Sequence, residues 1–242
     1  MRALSRRCAE DKDMGYIITL VALIATYVFV VFLMKYFTNS FVTTLILSVI
    51  CFACYAATVW IVYSDVGLYD WNFRNTLPTA NVSPFMFCTL PLFSVLPKRI
   101  KKYWSALIAL LSFGMFVAFV LACAFRAIIH YKFHAHFLLD YVSHLALSLL
   151  GVYLVRSKQV ELGKTECLIG SGSIVFVAFT MLILNVVLGT AFFGLSLKGD
   201  YNIYNMVIVS NAYLSAALYF IGLVAVLTAG YFYVNLLRKK VF

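Results

Sequence analysis

Long apolar stretches recur along this chain, each close to the length of helix that crosses a lipid bilayer. A hydrocarbon core about 30 Å thick requires roughly 20 residues of α-helix. Of the 242 residues, 64% are hydrophobic and only 12% are charged, too little charge to cover a water-soluble fold. The pattern predicts an all-α polytopic membrane protein, in which 1–242 is a single transmembrane domain with about seven transmembrane helices in one bundle. We predict these helices near 16–36, 41–63, 77–97, 103–125, 141–155, 168–194 and 206–230.

The basic residues lie in short clusters between the apolar stretches, and the formal net charge is +10. The connections after the first, third and fifth predicted helices, together with the C-terminal tail, hold 11 Lys and Arg residues. The other side holds four when the N-terminal segment is left out. Because basic connections stay in the cytoplasm, the N-terminus is predicted outside and the C-terminus in the cytoplasm.

This charge pattern also indicates the partners. Basic clusters beside membrane helices attract anionic headgroups, so membrane lipids are the expected partners and nucleic acid is not. The other possible partner is a membrane protein, or a second copy of this chain, whose helices pack against these. The membrane would be the cell membrane of a bacterium, or the endoplasmic reticulum of a eukaryote.

The stretch 126–144 is the richest in reactive side chains and contains all four histidines. In a helix, His136, Asp140 and His144 would stand one turn apart along one face. A carboxylate one turn from an imidazole can fix its tautomer and raise its basicity, as a general base requires. We therefore predict that His144 is a catalytic base oriented by Asp140, and that His136 binds substrate. The alternative is that the flanking histidines lie among headgroups, bonded to water and phosphate: His130, His134 and His136.

Four prolines interrupt the third apolar stretch, and each frees the carbonyl four residues earlier. Such a helix must pack among other helices or line a polar cavity. Thr79 and Ser83 in its first half are candidate nucleophiles, and Asn81 is a candidate binding residue. The alternative is that these side chains bond the kinked backbone itself. Arg74, in the polar connection just before, is a further binding candidate, since the predicted topology puts it on the same non-cytoplasmic side.

No metal and no cofactor are expected. His130 and His134 could face one ion, but Tyr131 occupies the position of the glutamate in an HExxH motif. Cys51 and Cys54 form a CxxC without a second pair or a nearby histidine, so packing is their predicted function. Asn185 and Asn211 are expected to bond across helices.

Three short motifs carry a family resemblance. They are Leu77-Pro78 with Ser83 and the basic residues at 98–102, Tyr141-Val142-Ser143-His144, and Asn185 with Gly189-Thr190. Over about 60–235 the chain resembles the YwaF-like integral membrane proteins, whose animal relatives are ether-lipid acyltransferases. The resemblance implies their helix order and an acyl-transfer site that includes His144, with Asn185 and Thr190 as binding residues. At the family's histidine, cysteine, asparagine and tyrosine positions this chain has Ala80, Val82, Ala191 and Phe192.

Three functions follow as hypotheses. The first is an intramembrane lipid acyltransferase or acyl hydrolase, with His144 as base and Thr79 or Ser83 as nucleophile. The second is a carrier or binding protein for a small molecule or a lipid, in which the proline-broken helix lines the binding site. The third is a non-catalytic accessory membrane subunit, consistent with the replaced motif positions.

Overall fold

The computed structural model describes residues 2–37, 39–67, 77–78, 81–93, 96–128, 134–160, 162–188, 193, 195 and 211–240. Within these ranges the regular structure is entirely helical, which confirms the predicted all-α bundle. The helices are α1 (Arg2–Leu33, continued by a 3-10 turn at Met34–Tyr36), α2 (Ser40–Val66), α3 (Val82–Phe93), α4 (Lys98–Ile128), α5 (Ala135–Arg156), α6 (Lys164–Leu188) and α7 (Ala212–Lys240).

Six of the described helices are long and apolar enough to cross a bilayer, and the chain is an integral membrane protein. Their outward faces are apolar, as lipid contact requires, because no other solvent would tolerate so many exposed large hydrophobic side chains. The six spans are Gly15–Tyr36, Ser40–Asp65, Lys98–Ala124, His136–Arg156, Lys164–Leu188 and Tyr213–Arg238.

The third predicted helix, 77–97, is shorter than expected. The described helix α3 has 12 residues, or roughly 18 Å at 1.5 Å per residue. Prolines set its limits. Pro84 lies in the first turn, where its missing N–H is tolerated, and Pro97 accepts bonds from the first turn of α4 through its carbonyl. Pro91 lies inside the helix, two residues before its end.

The fifth helix is longer than the predicted 141–155, because α5 begins at Ala135 and has 22 residues. His136 and Asp140 are thus helical residues. Polar side chains on the face of this helix interrupted the apolar pattern without interrupting the helix. The predicted start of the last helix, 206–210, lies outside the described residues.

Helices α4 and α5 form the centre of the bundle, with α1, α2, α6 and α7 around them. Glycines allow close approaches between helices. A Cβ atom at Gly151 of α5 would lie 2.7 Å from the carbonyl oxygen of Ile108 in α4, and one at Gly230 of α7 would collide with the carbonyl oxygen of Leu110. Small residues at membrane helix contacts allow backbones to pack closely in this way.

The helices alternate in direction, and the basic residues of the connections gather where α1, α5 and α7 end and α4 and α6 begin. We call this the basic end. Here Arg156 donates from Nη1 to the carbonyl oxygen of Val31 (3.0 Å). Lys102 forms an ion pair with Glu166 (3.2 Å), and Arg238 lines the same cavity as Arg156. The start of α5 lies at the opposite end.

Candidate functional site

His144 is held by its own helix. Its Nδ1 lies 2.8 Å from the backbone carbonyl oxygen of Asp140 and 3.4 Å from the Oδ1 atom of the same residue. Because a carbonyl oxygen only accepts hydrogen bonds, Nδ1 carries the proton, and the neutral ring then keeps its lone pair on Nε2. The side chain is 14% exposed. This arrangement provides a proton acceptor of fixed orientation inside the membrane-spanning part of the bundle.

Helix α3 meets α5 at this histidine. The ring of Phe87 stands edge-on to the imidazole of His144, with centroids 5.0 Å apart, and it also contacts Tyr55 of α2 (5.7 Å). Phe87 is fully buried. Helix α3 and His144 therefore lie at the same depth in the bundle. The Phe87 ring, which packs against both α2 and α5, makes the contact.

The predicted nucleophile Ser83 lies one turn before Phe87 but is turned toward α4. Its Oγ donates to the sulfur of Met115, 3.6 Å away. Asn81, a predicted binding residue, caps α3: its Oδ1 accepts from the N–H of Val82 (2.8 Å), and its carbonyl accepts from Phe85. The Asn81 bonds agree with the alternative in which polar side chains satisfy the backbone of a proline-broken helix, whereas the Ser83 bond goes to a side chain of α4.

His136 lies two turns before His144, at the start of α5. Its ring stacks on His134 (centroids 5.4 Å) and contacts Phe137 (4.2 Å). Its backbone carbonyl accepts a bond from Thr58 of α2 (3.5 Å). His136 is therefore part of an aromatic cluster at the end of the bundle opposite the basic end, separate from the contact between α3 and His144.

The two asparagines have local partners. Asn185 is buried and donates from Nδ2 to the carbonyl oxygen of Leu195 (2.5 Å), which ties the chain after α6 back onto that helix. Asn211 caps α7 through its Oδ1, which accepts from the N–H of Leu214 (3.1 Å), so this bond is local. Three predicted site residues lie outside the described residues: Thr79, Arg74 and Thr190.

The buried cysteine thiols bond to backbone carbonyls. Cys51 donates to the carbonyl oxygen of Ser143, and Cys123 to that of Tyr16, each at 3.3 Å. Among the described residues, no group of three His, Cys, Asp or Glu side chains could hold a metal ion.

Two features of the site were missed by sequence reasoning. One is the Phe87 ring, which nothing distinguishes in the sequence from other phenylalanines. The other is the hydrogen bond between the hydroxyls of Tyr27 in α1 and Ser148 in α5 (3.0 Å), one turn from His144 toward the basic end. A hydroxyl inside an apolar stretch is the signal that could have indicated Ser148.

No protein-family model, curated protein or solved structure matches this chain.

Proposed function

We propose that this integral membrane protein is an intramembrane lipid acyltransferase or acyl hydrolase with His144 as its general base. The observation that supports this most is the bond from Nδ1 to the Asp140 carbonyl, which leaves the Nε2 lone pair as the proton acceptor. Among the described residues no side chain forms a hydrogen bond to Nε2, so its lone pair is not already engaged by the protein.

The chemistry is direct acyl transfer. Nε2 removes the proton from an acceptor hydroxyl, and the oxygen of that hydroxyl attacks the carbonyl carbon of a lipid ester. The carbon–oxygen bond to the original alcohol then breaks, and the imidazolium returns the proton to the departing alkoxide. With a lipid hydroxyl as acceptor the product is a new ester, and with water it is a free fatty acid.

Direct transfer fits the described geometry better than a covalent acyl-enzyme. The Ser83 hydroxyl bonds to Met115, so it is not activated by His144 in this arrangement. His144 alone can activate an acceptor hydroxyl that the substrate brings. The same proposal includes kinship with the YwaF-like membrane proteins and a cytoplasmic location for the basic end.

The test measures product from a phospholipid with a labelled acyl chain, using the full-length protein reconstituted in vesicles. His144→Ala should reduce turnover by about 100-fold or more, the usual contribution of a general base. His134→Ala is the matched control: it removes an imidazole from the residue just before the same helix and should keep most of the turnover. Equal turnover by the wild-type protein and His144→Ala would refute the proposal.

A second candidate is a carrier or binding protein for a lipid or a small molecule. It is favoured by α3, a half-length helix whose first turn contacts Met115 near the middle of α4. Half-helices that begin inside the membrane form binding sites in many transporters. Saturable stabilisation of the protein by an added lipid, with no product formed, would support this function instead.

A further inference from the structure

A cavity of about 550 Å³ opens at the basic end, between the C-terminal parts of α5 and α7. Three of its lining residues are cations, and the apolar part of its wall is formed by Val155, Val160 and Leu162. The cations are Arg156, Lys158 and Arg238.

The cavity lies at the ends of two helices long enough to span the membrane, where lipid headgroups are expected. Arg156 is the last residue of the membrane span of α5, and Arg238 is the last residue of the span of α7. An apolar wall thus adjoins the hydrocarbon, while the charges stand at its boundary with water. Basic pockets between membrane helices are typical binding sites for anionic lipid headgroups.

Backbone contacts fix the guanidinium of Arg156 and the main-chain position of Lys158. Arg156 donates to the carbonyl oxygen of Val31 in α1, which fixes the direction of its guanidinium. Lys158 has φ 55°, in the left-handed region where a helix normally ends with glycine. Its N–H donates to the carbonyl of Val155, and the N–H of Gln159 to that of Leu154, as in a Schellman motif. The chain thus places a cation where glycine would be the less strained choice.

The described carboxylate at the rim of the cavity is already paired with another cation. Glu166 reaches Gly163 at its rim, but it is paired with Lys102 at 3.2 Å. The other acidic residue of this connection, Glu161, lies outside the described residues.

We propose that this cavity binds the phosphate of an anionic phospholipid. Arg156, Lys158 and Arg238 contact the phosphate, and the apolar wall contacts the glycerol backbone and the first methylenes of the acyl chains. This site is distinct from the His144 site at the contact between α3 and α5, and neither proposal depends on the other.

The test measures thermal stabilisation of the full-length protein in detergent by dioctanoylphosphatidylglycerol. Dioctanoylphosphatidylcholine and inorganic phosphate are the comparison ligands. In the double variant Lys158→Asn/Arg238→Gln, we expect the apparent affinity for phosphatidylglycerol to fall by at least tenfold, since each cation near a membrane surface contributes about fivefold. Asn is chosen at 158 because it tolerates the left-handed conformation, so the helix cap should persist.

Lys35→Gln is the matched control, since Lys35 is an exposed lysine at the same end whose ammonium lies over the rings of Phe32 and Tyr36. This variant should bind phosphatidylglycerol like the wild-type protein. Unchanged affinity in the double variant would overturn the proposal, as would an equal loss in Lys35→Gln. Equal stabilisation by phosphatidylcholine would exclude selectivity for an anionic lipid, and equal stabilisation by inorganic phosphate would indicate a soluble anion as the ligand. Should the double variant fail to fold, Lys158→Asn alone should weaken binding by about fivefold.

Discussion

The imidazole of His144 is bonded to the main chain of Asp140 rather than primarily to its side chain. The Nδ1 atom is 2.8 Å from the carbonyl oxygen and 3.4 Å from the nearer carboxylate oxygen. A carbonyl four residues earlier in a helix is present whatever residue occupies that position. The tautomer that leaves Nε2 as a base therefore follows from the helix, and the carboxylate adds only a secondary interaction.

The first prediction separates the effect of the Asp140 carbonyl on His144 from that of the Asp140 carboxylate. Asp140→Asn keeps the carbonyl and removes the negative charge, so turnover should fall by less than about tenfold, against about 100-fold or more for His144→Ala. Both variants are compared in the vesicle assay with labelled phospholipid. A loss in Asp140→Asn as large as that in His144→Ala would mean that the carboxylate, and not the carbonyl, determines the state of the imidazole.

The second prediction concerns the contact between α4 and α7. Gly230→Ala would push a methyl group into the carbonyl of Leu110, so the free energy of unfolding should fall by about 1–3 kcal/mol. Gly172→Ala is the control, because nothing lies within 4 Å of the added methyl group. It should leave stability unchanged or raise it by about 0.5–1 kcal/mol, since alanine favours helix over glycine. Thermal unfolding in detergent measures both. Equal effects at the two positions would contradict the close packing of α7 on α4.

The third prediction concerns the buried hydroxyl pair of Tyr27 and Ser148. Tyr27→Phe removes one hydroxyl and leaves the other without this partner, which should lower the free energy of unfolding by about 0.6–1.7 kcal/mol. Tyr213→Phe, at an exposed position on α7, should have no measurable effect. Thermal unfolding in detergent compares the two. A destabilisation by Tyr213→Phe as large as that by Tyr27→Phe would show that the pair contributes nothing specific.

The helical bundle could be predicted from the sequence because the bilayer imposes a length on each apolar stretch. The positions where prediction was less accurate have local physical causes. In 77–97, Pro84 lies in the first turn of α3 and Pro97 lies just before α4, so the helix between them is short. At His136 and Asp140, polar side chains broke the apolar pattern although the helix continues through them.

The candidate site was less predictable than the fold. The helical spacing of Asp140 and His144 indicated their proximity, because that contact is local. The turn of Ser83 toward Met115 and the placement of Phe87 against His144 depend on how α3 packs against α4 and α5. Contacts between distant parts of the chain depend on side-chain shape, which periodicity does not encode.

The most direct test of His144 as the base is chemical rescue. His144→Ala leaves space where the ring stood, so soluble imidazole added to vesicles containing this variant can accept the proton instead. We predict that turnover of labelled phospholipid by His144→Ala is at least about 100-fold below that of the wild-type protein. The turnover of His144→Ala should rise with imidazole concentration, while that of His134→Ala shows no such dependence. Full turnover by His144→Ala without imidazole would contradict the assignment of this residue as the base.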